Sequence, residues 1–124
     1  MKIVYHTHYL DYFEVARTEA LRSLGLPYKS LEDAGIIMPV VDLALNFRSP
    51  ARYDDILEIR TVMTASPTIT RVTFNYETRR KNETEILVTG HVTLCFIDVE
   101  RNRPIRAPES FRNVLEKLFS AQKA

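Results

Sequence analysis

The sequence predicts an α+β domain in which one antiparallel sheet covers one long helix. Residues 5–25 place apolar side chains at steps of three and four, which is the repeat of one buried helix face. Four later segments alternate apolar and polar side chains, as strands with one buried face do. The turns between these segments are too short for the crossover that parallel strands need, so the strands are expected to be antiparallel.

Length and composition favour a single soluble domain spanning residues 1–124. No apolar run approaches the roughly 20 residues of a membrane span, and the N-terminal residues lack a secretory pattern, so the cytoplasm is the expected location. The net charge of +1 gives no field that would hold nucleic acid. Cys95, the one cysteine, stands in an apolar strand, where a buried thiol is expected.

The predicted first helix has recognisable ends. Thr7 or His8 is expected to cap its start, and Gly25 followed by Leu26 and Pro27 supplies a left-handed stop. The expected buried face consists of Tyr9, Phe13, Ala16, Ala20 and Leu24. After this helix, residues 26–35 are expected to form a connection with one short turn, because Ser30 and Asp33 resemble a weak capping box.

The strands and a last helix follow. The first strand begins near Ile36, with Pro39 close to its start, and the fourth runs from about Ile86 to Val99. Gly90 inside the fourth strand indicates a bulge, a bend or another group pressed against the backbone. Pro108 is well placed to open the last helix. The side chains expected to face the core are Leu43, Leu45 and Phe47; Leu57, Ile59, Thr61 and Met63; Val72, Phe74 and Tyr76; Ile86, Val88, Gly90, Val92, Leu94 and Phe96; and Phe111, Val114, Leu115, Leu118 and Phe119.

The first helix also carries a family resemblance. Its residues Val4-Tyr5-His6-Thr7-His8-Tyr9, Tyr12-Phe13-Glu14 and Ala16-Arg17-Thr18-Glu19 resemble the Y-H-x-x-Y-x-x-[FW]-x-x-A-R-x-E stretch of small hotdog-fold acyl-CoA thioesterases. These are the relatives of 4-hydroxybenzoyl-CoA thioesterase and of the thioesterase encoded beside the Tol-Pal genes. Similar residues recur at Leu24-Gly25-Leu26-Pro27-Tyr28, Pro50-Ala51-Arg52-Tyr53-Asp54-Asp55 and Arg106-Ala107-Pro108. The resemblance implies a hotdog fold and a homodimer or homotetramer with acyl-CoA sites between subunits.

One departure from the family concerns its catalytic aspartate. That residue lies in a D-x-x-G-x-V-Y-H-like run, at the end of a first strand that precedes the helix. Aligning Val4-Tyr5-His6 on this run places Lys2 where the glycine often stands and the aspartate ahead of Met1. We therefore expect the first strand and its carboxylate to be missing from this chain. Three alternatives would explain this: the start was assigned at an internal methionine, the chain is truncated, or it is a natural family member without the carboxylate.

The resemblance also implies catalytic residues. Thioester hydrolysis needs a group that attacks or activates water, together with donors that stabilise the oxyanion. The main-chain N–H at or near His6 is expected to polarise the thioester carbonyl, and Tyr9 and Glu14 complete the candidate catalytic set. The alternative reading makes Tyr9 a core residue, and makes Glu14 and Asp11 solvated or capping acids.

Two basic clusters are candidates for holding the phosphates of coenzyme A, which enters only as part of the substrate. The preferred cluster is Arg79, Arg80 and Lys81, and the other is Arg101, Arg103 and Arg106. The alternative reading is that both are solvated turns. No metal is expected, because His6 and His8 do not share a helix face.

Three functions compete at this point. The first is hydrolysis of a small to medium acyl-CoA to the free acid and CoA. The second is non-catalytic binding of acyl-CoA or lipid, which suits a chain without the usual aspartate. The third is a hotdog dehydratase, which is weakened because the sequence shows no D-x-N-x-x-H-like run.

Overall fold

The computed structural model describes residues 6–26, 28–52, 54–66 and 68–123. No helix in these ranges is long and apolar enough to cross a membrane. The strand expected ahead of the first helix would fall before residue 6, and residues 1–5 lie outside the described part of the chain. In chain order the elements are α1 (His6–Ser23), α2 (Tyr28–Asp33), β1 (Ile36–Ile37), β2 (Val40–Phe47), β3 (Leu57–Ala65), β4 (Arg71–Arg80), β5 (Ile86–Asp98), β6 (Arg103–Ile105) and α3 (Glu109–Lys123).

The sheet is antiparallel throughout, as predicted, and β5 is its central strand. One edge of β5 pairs with β2 and β1, and its other edge pairs with β4 and β6. Strand β3 pairs with β4, so the long strands stand in the order β2, β5, β4, β3. Strand β6 was not predicted, because three residues that include Pro104 carry no readable alternation.

Helix α1 lies against one face of this sheet. The Phe13 ring stacks on the Tyr76 ring at a centroid distance of 4.2 Å, and the Tyr9 ring lies 5.7 Å from that of Phe47. Helix α1 therefore begins over the end of the sheet where β2 and β4 finish and β3 and β5 start. We call this end, formed by Phe47, Leu57, Arg80 and Ile86, the helix-start end.

Gly90 lies directly beneath α1, which confirms the predicted close approach to its backbone. A Cβ atom at this position would stand 2.9 Å from the Ala44 carbonyl oxygen and 3.1 Å from Cε2 of Phe13. Real Cβ atoms essentially never come within 3.0 Å of another heavy atom. Glycine is therefore the residue that lets Phe13 reach the sheet.

The predicted left-handed stop after α1 is confirmed. Gly25 has φ of 77°, and its N–H donates to the Arg22 carbonyl oxygen at 3.0 Å. The Leu26 N–H donates to the Leu21 carbonyl oxygen at 2.9 Å, which completes a Schellman motif.

The predicted helix caps were wrong. Helix α1 begins at His6, so Thr7 and His8 stand inside its first turn and not ahead of it. Ser30 likewise stands inside α2, so Ser30 and Asp33 form no capping box. In both places a hydroxyl-bearing residue close to a helix start was mistaken for the start itself.

The buried face of α1 is narrower than predicted. Tyr9, Phe13, Arg17 and Leu21 are buried at steps of four, whereas the predicted Ala16, Ala20 and Leu24 are half-buried. Arg17 was not expected there; its long aliphatic stem suits an apolar surface, and its guanidinium donates to the Tyr76 hydroxyl at 3.3 Å.

The core faces of the later elements follow the prediction with one exception. In β5, Val88, Val92, Leu94 and Phe96 are buried, and in α3 so are Phe111 and Leu115. Val114 and Leu118 are half-buried, and the Phe119 side chain lies outside the description. The exception is β2, where Leu43 and Phe47 are about half exposed because no described strand covers its outer edge.

Candidate functional site

The start of α1 places the N–H groups of its first turn at the helix-start end of the sheet. The first N–H groups of any α-helix have no partner within the helix, and the aligned peptide dipoles give this end partial positive charge. His6 is the first residue of α1, so its main chain belongs to this turn, while its side chain is not described. The role predicted for its N–H stays a prediction that this geometry allows.

A groove runs beside the early turns of α1, between the helix and strand β3. Its volume is about 410 Å³, within the range of small-molecule sites. Apart from Tyr12 and Asp55 its walls are aliphatic. The lining residues are Tyr12, Val15 and Ala16 of α1, together with Asp55, Leu57 and Ile59.

Among the described residues that line the groove, Asp55 is the charged one. Its Oδ2 accepts the Arg52 backbone N–H at 2.8 Å and Nε of Arg80 at 3.0 Å, and its side chain is 20% exposed. The Arg52 N–H bond, and after it the Arg80 guanidinium, hold the pKa of this carboxyl below its usual value, although burial acts in the opposite direction. The groove therefore carries an ionised carboxylate at the helix-start end.

Arg80 is occupied by contacts within the protein. Besides Asp55, its Nη2 donates to the Pro50 carbonyl oxygen at 2.8 Å. Its Nη1 lies 3.4 Å from Glu85 and 3.7 Å from Glu83. This side chain ties the connection between β2 and β3 to the turn between β4 and β5.

The other two residues of the preferred basic cluster differ from each other. Arg79 donates from Nη2 to Glu77 at 2.9 Å and from Nε to the Thr84 carbonyl oxygen at 3.3 Å. Lys81 is exposed in the turn, with no ion pair to a described residue. Both arginines of the cluster thus already hold carboxylates, so a phosphate would have to compete with them.

Tyr9 lies in the core, 2% exposed, in agreement with the alternative reading of this residue. Within the described ranges its hydroxyl has no hydrogen-bond partner. Burial, and after it the neighbouring Tyr12, raise the pKa of Tyr9, so the phenol stays protonated. No described cavity exposes this hydroxyl, and a direct role in catalysis stays a prediction.

Glu14 is exposed and lies away from the groove. Each helical residue turns about 100° around the axis, so Glu14 and the groove residue Tyr12 are about 200° apart. Since Tyr12 faces the β3 side of α1, Glu14 lies on the flank nearer β2, as Leu10 does. The groove lies beside the second and third turns of α1, and Glu14 is not part of its described lining.

Asp55 was missed as a candidate site residue. The sequence marked it only as the last residue of the family-like stretch from Pro50 to Asp55, with no role attached. Of the two partners that fix it, Arg52 is three residues away, whereas Arg80 is 25 residues away in the chain. In the described part of the chain, His, Cys, Asp and Glu side chains form no group of three that could hold a metal ion.

Comparison with known proteins places this chain in a family. The sequence profile of the Thioesterase-like superfamily matches residues 1–115. The acyl-CoA thioester hydrolase YbgC of Escherichia coli O157:H7 is 33% identical over 112 residues, 87% of this chain and 79% of YbgC. The acyl-CoA thioesterase YbgC of Haemophilus influenzae is 29% identical over 94% of this chain and 84% of its own length. YneP of Bacillus subtilis is 38% identical over 61 residues, 49% of this chain and 44% of YneP.

Solved structures share the fold. The DHNA-CoA thioesterase of Staphylococcus aureus superposes with a TM-score of 0.88, at 28% identity, over 99% of this chain and 83% of that one. Protein TT1821 of Thermus thermophilus superposes with a TM-score of 0.83, at 34% identity, over 95% of this chain and 88% of that one. The arrangement of α1 on the antiparallel sheet is therefore a hotdog-like α+β fold.

Proposed function

We propose that this chain, which belongs to the thioesterase-like superfamily, hydrolyses acyl-CoA thioesters to the free acid and CoA. The observation that carries the proposal is the apolar groove of about 410 Å³ beside the second and third turns of α1. An acyl chain lying in this groove puts its thioester near the amides of the helix start. The groove's size suits a small to medium acyl group.

The helix start then acts on the carbonyl group. As water adds to the carbonyl carbon, negative charge grows on the oxygen, and the first-turn amides, including the His6 N–H, stabilise it. The C–S bond then breaks, and the leaving CoA thiolate takes up a proton. One such donor contributes about 3 kcal/mol to lowering the barrier in comparable hydrolases.

The water must also lose a proton, and for this we propose a further strand on the open edge of β3. In the described ranges this edge has no paired strand, although β3 is nine residues long. A strand that runs along it and then enters α1 would end at the helix-start end, where the family's aspartate is expected. It would also close the outer side of the groove.

A second copy of the chain is proposed for the opposite edge of the sheet. Val40, Val41, Leu43 and Phe47 of β2 are 43–50% exposed, an apolar row on an edge with open backbone groups. Pairing β2 with its counterpart would cover this row, giving a homodimer or a dimer of dimers. Glu14 lies on the same flank and would then face the joint between the copies.

The phosphates of CoA are proposed to bind at the turn that holds Lys81. This turn lies at the helix-start end, as the substrate path requires, and Lys81 has an exposed side chain. Arg79 and Arg80 would mainly support the turn. We place the activity in the cytoplasm, which suits the buried free thiol of Cys95.

Thiol release from a panel of acyl-CoA esters tests the activity. The chain is compared with a form that carries an additional N-terminal strand ending in aspartate. Release of CoA by the extended form from at least one short or medium ester is expected. Failure on the whole panel would remove the proposal.

A non-catalytic acyl-CoA binder is the second candidate, favoured by the position of Glu14 outside the groove. Calorimetry separates the two functions. Tight binding of acyl-CoA without turnover by the extended form would establish the binder.

A further inference from the structure

We infer that Asp55 makes the groove selective for acyl groups that carry no negative charge. The inference rests on the proposed use of the groove by an acyl-CoA and names the charge class of that substrate. A fatty or aromatic acyl group without a carboxylate is accepted, and an acyl group that carries a carboxylate close to the thioester is rejected, because Asp55 lies at the helix-start end, where the thioester is placed.

The first argument is that the Asp55 carboxylate is held in place. Both hydrogen bonds, from the Arg52 N–H and from Nε of Arg80, reach the same oxygen, Oδ2. In the described ranges Oδ1 accepts no hydrogen bond from the protein. A carboxylate fixed through one oxygen keeps its charge beside the groove and cannot turn away when a ligand arrives.

The second argument is that Arg80 does not cancel this charge. Its three guanidinium nitrogens already face Asp55, the Pro50 carbonyl oxygen, Glu83 and Glu85. Each of the three nitrogens therefore donates to a protein oxygen before any ligand arrives. An incoming carboxylate would have to compete with Asp55, Glu85 and the Pro50 carbonyl oxygen for this guanidinium.

The third argument comes from the aliphatic wall. A carboxylate that enters the groove loses hydration against Val15, Leu57 and Ile59, and these aliphatic side chains give it no hydrogen bond in return. It also meets the like charge of Asp55. A neutral chain meets neither cost and contacts the same wall favourably.

The test measures binding, so that it does not depend on turnover. Pentanoyl-CoA and succinyl-CoA are used as non-hydrolysable thioether analogues of similar acyl size, and their Kd values are measured by calorimetry. The wild type is expected to prefer the neutral analogue by at least about tenfold, since like charges that face each other oppose binding. In Asp55→Asn this preference should fall to about twofold or less.

Two further variants make the result specific. Asp54→Asn removes the same charge from an exposed neighbour that does not line the groove, and should keep the wild-type preference. Asp55→Glu keeps the charge and should keep the preference even if its melting temperature is lower. An unchanged ratio in Asp55→Asn, or the loss of preference in Asp54→Asn as well, overturns the inference.

Other outcomes separate the inference from the proposed activity. If neither analogue binds the wild type at about millimolar concentration, the groove does not take acyl-CoA and the inference falls. If the ratio of the two Kd values changes as expected but no ester is hydrolysed, the charge selectivity of the groove is supported and the thioesterase proposal falls.

Discussion

At the scale of single residues, Gly90 stands where the structure has no room for a side chain. Gly90→Ala would press a methyl group on the Ala44 carbonyl oxygen, on Leu45 and on Phe13. Because one of these atoms is backbone, relief requires α1 or β2 to move. We expect a loss of about 1–3 kcal/mol in unfolding free energy, measured by urea denaturation.

The control for this change is Thr89→Ala, a half-buried neighbour in the same strand. The unfolding free energy of this variant should stay within about 0.5 kcal/mol of the wild-type value. Alanine by itself suits a strand better than glycine, so an unchanged or higher unfolding free energy in Gly90→Ala would contradict the close contact beneath α1.

Asp55 should make stability depend on pH in the acidic range. Its pKa in the folded protein lies below its usual value, so the folded state binds its proton less readily than the unfolded state. The stabilisation is therefore complete above the unfolded pKa and is lost as pH falls through the folded one. The difference in melting temperature between the wild type and Asp55→Asn should shrink between neutral pH and about pH 3.

The same titration of Asp54→Asn provides the comparison, since Asp54 is exposed and outside the groove lining. Its difference from the wild type should stay small at every pH. A difference for Asp55→Asn that grows on acidification would contradict the assigned direction of the pKa shift.

At the scale of elements, the exposed apolar row of β2 gives a test of the proposed dimer. Leu43→Lys places a charge in the centre of that row, where a paired copy would bury it. We expect the elution volume and light-scattering mass to shift toward the monomer while circular dichroism stays unchanged. Val99→Lys, at a site of similar exposure outside β2, should leave the mass unaltered.

The elements themselves were largely predictable. The helix period in residues 5–25 and the alternation in four segments required only local pattern, and α1 and β2 to β5 follow it. The order of the strands was not predictable, since it depends on contacts between segments far apart in the chain. The exposure of Leu43 was missed for the same reason, because an edge strand and an inner strand share one alternating pattern.

The candidate site was less predictable than the fold. The helix start could be located from sequence, but the groove exists only because Leu57 and Ile59 come to lie beside Tyr12 and Val15. The engaged state of Arg79 and Arg80 likewise depends on partners that the spacing of basic residues does not show.

At the scale of the whole molecule, α1 and the sheet share one core. Phe13 is fully buried and stacks on Tyr76, so Phe13→Ala removes the central contact between helix and sheet. We expect the unfolding free energy of Phe13→Ala to be lower than that of the wild type by about 3–5 kcal/mol. Circular dichroism and near-ultraviolet signals should report one shared urea midpoint, and two separate midpoints would show that α1 and the sheet unfold independently.

The Phe13–Tyr76 stack also provides an optical probe. The chain has no tryptophan and six tyrosines, and the rings of Tyr9 and Tyr76 lie between α1 and the sheet. Second-derivative absorbance of tyrosine should therefore shift to shorter wavelength when water reaches these two rings. The departure of α1 from the sheet can thus be timed in a stopped-flow instrument without a label or an engineered fluorophore.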